Sequence, residues 1–112
     1  MAVGDRTEAR LGGPTQLGTT TTTVCTASAG YNEIIKQIIV TNTDTVDRTF
    51  SLAIGSAASA SARIISQLPI GANDIIVFDT ALVLNASETL QGLADAASVV
   101  NVTAIGWEKQ VS

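Results

Sequence analysis

Two pairs of carboxylates lie close enough in the sequence to act together, Asp44 with Asp47 and Asp74 with Asp79. Paired carboxylates can divide the acid and nucleophile roles of glycoside hydrolysis. All four are read at turn or strand-end positions, with Asn42, Thr43 and Thr45 around the first pair and Gly71 and Asn73 ahead of the second. A short acidic side chain is expected there for backbone reasons alone, because it hydrogen-bonds its own main chain. Asn42, Asp44 and Asp47 also offer oxygens to a calcium ion, but they lack the regular spacing and terminal glutamate of an EF-hand loop. The chain has no histidine, which removes the usual general base, the common metal ligand and every histidine-dependent triad. Cys25 is the only cysteine, and between Val24 and Thr26 it reads as a small hydrophobe in a strand. No glycine-rich phosphate loop is present. The sequons at Asn85-Ala86-Ser87 and Asn101-Val102-Thr103 come without a secretory leader and read as accidental. The expectation is a protein with no catalytic residue, no metal site and no cofactor.

The elements around these residues read as strands. Asn32–Gly55 organises the chain and is predicted to be two strands joined by a polar turn near Asp44. Ile34, Ile35, Ile38, Ile39 and Val40 are apolar on both faces and mostly β-branched, as in a central strand. From Arg48 to Ile54 the pattern alternates, with Phe50, Leu52 and Ile54 inward and Thr49, Ser51 and Ala53 on a wet face. Thr19 to Thr26 is predicted as the first strand, and Tyr31 as a cover for the end of the core. The small residues 56–62 suit a loop or a strand start. Pro69 with Gly71, Asn73 and Asp74 marks a break. Ile75–Phe78 and Ala81–Leu84 are one bent strand or two, and Glu88–Ala94 is a short one with Leu90 inward. The last strand runs from Ser98 to about Lys109, with Val100, Val102 and Ala104 on one face and Val99, Asn101, Thr103, Ile105 and Trp107 on the other. Trp107, the sole tryptophan, is expected to plug an open end of the core, its commoner role, or to anchor an interface. About seven to eight antiparallel strands at this spacing predict an all-β, single-domain β-sandwich or jelly roll.

At 112 residues the chain has room for one core. Residues 1–18 are rich in glycine and show no strand period, so they are predicted to form an extended N-terminal arm ahead of a sandwich domain over 19–112. Hydrophobic residues make up 46% of the chain and aromatics 4%, so the core must be aliphatic. Charged residues are 14% and the net charge is -4, which argues against nucleic-acid binding. No apolar run approaches the roughly 20 residues that span a bilayer, so no membrane role is expected and folding in the cytosol is. So uncharged a surface suits a subunit that buries part of itself against copies or a larger partner.

The order TTTTVCTASAGYNEIIKQIIVTNTDTVDRTFSLAIG and then NDIIVFDTALVLNASETLQGLADAASVVNVTAIGWEK resembles small virion proteins of tailed bacteriophages, either capsid decoration (cement) proteins or tail-associated subunits. The similarity covers roughly Thr19 to Lys109 and lies in strand patterns rather than a catalytic motif. It implies a non-enzymatic β-sandwich that assembles in the host cytoplasm onto a virion, often as a trimer, with the phage major capsid protein or another virion protein as partner. The expected contact residues are Arg6, Arg10 and Leu11 in the arm, with Tyr31 and Trp107 as further anchors. The alternatives are a tail or neck subunit and, from another class, a host-surface carbohydrate-binding module. The last would need exposed aromatics, and only Phe50, Phe78, Tyr31 and Trp107 are on offer.

Overall fold

A computed structural model describes residues 6–55 and 63–111, with side chains from residue 10 onward. The expectation for residues 56–62 lies outside the described residues. Eight strands follow in order: β1 (Arg6–Gln16), β2 (Thr22–Thr26), β3 (Tyr31–Asn42), β4 (Arg48–Ile54), β5 (Arg63–Ile70), β6 (Ile75–Leu84), β7 (Thr89–Ala94) and β8 (Val100–Gln110). They form two four-stranded antiparallel sheets, sheet A in the order β1-β8-β3-β6 and sheet B in the order β2-β7-β4-β5. This interleaving of early and late strands is the jelly roll. Among the described residues there is no helix, so none is long and apolar enough to cross a membrane.

The inner faces meet in an aliphatic core. Ile35, Val40, Leu52, Leu90, Val100 and Val102 are fully enclosed. Phe50 packs edge-on against Phe78 with ring centroids 6.4 Å apart, so these two rings serve the interior. β8 buries Val100, Val102 and Ala104 and turns Asn101, Thr103, Ile105 and Trp107 outward, as its period predicts. β3 is central in its sheet, between β8 and β6, which is why it needs apolar residues on both faces.

Four expectations are corrected. Of residues 1–18, expected to form an arm, the described part is not separate: Arg6–Gln16 is an edge strand hydrogen-bonded along β8, and Leu17, wholly buried, carries the chain across to sheet B. A glycine-rich segment forms a strand here because Gly12 lies so close to the next strand that a Cβ would meet the Val24 carbonyl and the Cys25 Cβ. Second, β3 and β4 are not a hairpin, since they belong to different sheets. The NTDTVD turn is a corner between the layers, and the asparagine and aspartate chemistry that closes a hairpin serves a corner equally well. Third, β4 has no wet face: Ser51 and Ala53 are buried, with the longer Leu93 and Gln91 opposite them on β7. Fourth, the expected break is found at 71–74, between β5 and β6, but Pro69 is no part of it. Pro69 sits inside β5, an edge strand, where a missing N–H costs no ladder bond on the open side.

β6 is a single strand, irregular at one point. Against β3 its register shifts between Ile35 and Gln37, so that Thr80 and Ala81 together oppose Lys36. β3 shifts at the same place against β8, where Ile35 pairs with Gly106 and Gln37 with Ile105. Two bulges at one level bend sheet A and turn both Lys36 and Gln37 outward.

Candidate interaction surface

The doubled bulge shapes the outer face of sheet A. Register aligns side chains in rows across it: Val83, Ile34 and Trp107; then Asp79, Gln37, Ile105 and Arg10; then Val77, Ile39 and Thr103; then Ile75, Thr41 and Asn101. At the bend lies a shallow depression of about 580 Å³ bordered by Lys36, Gln37, Asp79, Thr80, Ile105 and Trp107. The Lys36 ammonium stands 5.7 Å from the centre of the Trp107 ring, within reach of its negative face. Gln37 Nε2 donates to Asp79 Oδ1 at 3.5 Å. Around this polar group stand exposed aliphatic side chains, mostly on β6, with Ile75 58%, Val77 51%, Val83 46% and Ile105 36% exposed, while Thr41, Asn101 and Thr103 make the rest of the face polar. A bent, weakly charged surface with exposed aliphatic side chains can dock another protein surface.

The five residues expected to make contacts all lie in sheet A. Arg6 pairs with Lys109 and Tyr31 with Gln110 at one end, with Trp107 opposite Ile34 three positions further in and Arg10 opposite Ile105 at the bend. Arg10 is exposed. Leu11 is half-buried and packs against the core. Tyr31 is half-buried where β3 begins, its N–H donating to the Ser28 carbonyl. Trp107 faces outward rather than into the core, so it does not plug the sandwich. Its neighbour Gly106 takes the inward position, where a Cβ would fall on the Ile34 carbonyl.

The turn carboxylates are engaged with the backbone or with arginine. Asn42, fully buried, donates from Nδ2 to the carbonyls of Val46, Ile70 and Gly71 and accepts the Asp44 N–H at 3.0 Å. Asp44 takes two hydrogen bonds from Arg48, at 2.9 and 2.7 Å, which with the Thr45 N–H hold its carboxyl below the usual range. Asp47 accepts the Ala72 N–H and Asp74 the Ile75 N–H. Among the described residues no three acidic or cysteine side chains gather in a way that could hold a metal ion.

One carboxylate pair escaped sequence reading. Register places Glu33 of β3 directly opposite Glu108 of β8, 75 positions away in the chain. Glu33 is 2% exposed, and its Oε1 has no hydrogen-bond partner. Burial first, and then the Glu108 charge, raise its pKa to about 7. Burial likewise pushes the Cys25 thiol up to about 12, with the Glu33 charge adding to it. Neither described concavity at the surface is lined by Glu33, and the buried pair bears on stability. Because the folded pKa lies above the ordinary 4.5, the folded state holds this proton more tightly. Its contribution is complete below pH 4.5 and is lost as pH rises through about 7. With solvent screening near the strand end, that contribution is on the order of 2 kcal/mol. Glu33→Gln is therefore expected to be more stable than the parent at pH 8 and no more stable at pH 4, as urea unfolding at the two pH values would measure. A parent whose midpoint does not fall relative to the variant between those values contradicts the assignment.

No family model matches the chain, and no curated protein matches it. Solved structures align with it. A structure of infectious bursal disease virus, Gx strain, aligns over 96% of this chain at 12% identity and a TM-score of 0.54. A pentameric capsid protein from metagenomic phage sequences aligns over 94% at 16% identity and a TM-score of 0.35, and a second structure of such a protein over 96% at 14% and 0.30. This chain spans 32% of the first structure's chain and 60% and 66% of the other two. The chain is thus an all-β sandwich of jelly-roll order whose fold is shared with a virus structure.

Proposed function

We propose that this chain is a non-enzymatic structural protein of a virion and, within that class, a decoration (cement) protein that binds an assembled shell and stabilises it. The observation that carries the reading is the bent outer face of sheet A, an aliphatic surface with few charges on a jelly roll. Clustered exposed apolar side chains mark sites of contact with other proteins. The fold likeness to a bursal disease virus structure and the sequence resemblance to small tailed-phage virion proteins both support the virion setting. The partner is then a phage major capsid protein, contacted by several copies of this chain, grouped as trimers, around the shell. A ligand that recognises only the assembled shell raises its stability by mass action, and many weak contacts act together.

A carbohydrate-binding role finds less support. Phe50 and Phe78 pack on each other, and the Trp107 ring carries Lys36, so the aromatic surface for stacking on sugars is small.

The test adds the protein to shells that lack it. The expected result is saturable binding at many copies per particle and a higher shell melting temperature, with no binding to dissociated capsid subunits. Trp107→Ala should weaken shell binding at least about tenfold while the free domain keeps its fold by circular dichroism. Few copies per particle, located at a tail or neck, would replace this reading with the tail-subunit alternative.

A further inference from the structure

The two sheets have four edges, and three of them carry features that discourage pairing with another chain. β1 includes Pro14 and two register shifts, β2 is 5 residues long with a shift of its own, and β5 includes Pro69, two register shifts and Gln67 at a φ of 50°. Natural sheets blunt exposed edges with such devices. The first half of β6 has no register shift, and its one charge, Asp79, stands at its end. Ile75–Asp79 pairs regularly with Thr41–Gln37 of β3, before the bulge at Thr80 and Ala81. It contains no proline, glycine or lysine. Its outward side chains Ile75 and Val77 are the two most exposed large hydrophobics among the described residues.

We propose that Ile75–Asp79 of β6 pairs antiparallel with the same stretch of a second copy of this chain, about a two-fold axis through Val77, joining two A sheets into one continuous sheet. The stretch is self-complementary in that register. Val77 meets Val77 of the second copy on the exposed face, Ile76 meets Phe78 on the core side, and Ile75 meets Asp79. No like charges oppose each other. The two Asp79 carboxylates sit four residues apart along neighbouring strands, about 14 Å, beyond the Debye length of about 8 Å at physiological salt. Ile39, beside Val77 on β3, extends the contact into an apolar row running through both copies. Main-chain hydrogen bonds supply affinity and the alternating side chains supply register. The contact stands on β6 alone and does not depend on the virion reading.

Sedimentation of the full chain tests it, with two variants of the same chemistry. Val77→Lys puts two ammonium groups face to face at the axis and should weaken self-association at least about a hundredfold. Val83→Lys, on the same outer face but beyond the bulge, should leave association unchanged. In the parent, amide exchange should slow at alternate positions from Ile75 to Asp79 as concentration rises, and this slowing should vanish in Val77→Lys. A parent that stays monomeric overturns the proposal. So does a Val77→Lys protein that still associates, or a Val83→Lys protein that associates as poorly, since the contact would then lie on the open face rather than the edge.

Discussion

Gly106→Ala is expected to abolish the folded state at ambient temperature or to cost about 4 kcal/mol or more, beyond the range of most single substitutions. A Cβ on Gly106 would fall on the carbonyl group of Ile34, with the Ile35 Cα 3.0 Å away. These are backbone atoms of β3, and no rotamer change can clear them. Relief would require β3 and β8 to part at the level where both sheet A bulges lie. Small-to-large changes in a packed interior usually cost about 1–3 kcal/mol, because side chains can yield; here the ladder itself must. Thermal unfolding checks this, and Gly71→Ala serves as the control, since a Cβ there would come no closer than 3.5 Å to the Asp74 side chain. A Gly106→Ala protein as stable as the control would show that sheet A tolerates separation at its bend.

Asn42→Ala is the second large loss, about 3 kcal/mol. The amide has no exposure at all and ties three carbonyls to one side chain, two of them across the interval from β3 to the end of β5. Alanine leaves those carbonyls and the Asp44 N–H without that partner, and each buried unpaired group costs about 1–3 kcal/mol. Two of the groups lie at the loop surface, where water replaces part of the loss. A domain of this size loses roughly 5 °C of melting temperature per kcal/mol, so a fall of about 15 °C is expected. Asn42→Asp should fare no better, because the group that is needed is the donor. If calorimetry shows a drop of only a few degrees, the corner is held by the Asp44–Arg48 pair instead.

The strands legible in the sequence were those whose burial follows one simple period. β8 alternates without interruption over Val100 to Ala104, and its inward face was readable residue by residue. β3 announced its central place through apolar residues on both faces, yet the bulge at Lys36, which makes the depression beside Trp107, left only a break in the isoleucine pattern. β1 was illegible because its glycines fit by backbone contact, and Gly12 and Gly13 carry no apolar signal for that fit. Pairing partners were equally hidden. The NTDTVD stretch has the composition of any tight reversal, and whether it closes a hairpin or a corner depends on strands read much later in the chain. For the same reason Glu33 and Glu108 looked like two unrelated polar residues until register put them face to face.

The place of β1 in sheet A has a consequence for the order of events during synthesis. The first strand hydrogen-bonds only to the last, Arg6 opposite Lys109. A ribosome adding about 5–20 residues per second needs on the order of 10 s between making one and making the other. Throughout that interval β1 has no partner in its sheet, and β3 lacks one of its two neighbours. Such distant pairing slows folding, because the entropy of closing the loop is lost before any contact rewards it. The glycines and Pro14 that hid β1 from sequence reading also make it a poor strand for adventitious partners, which is useful in a segment that must wait for β8.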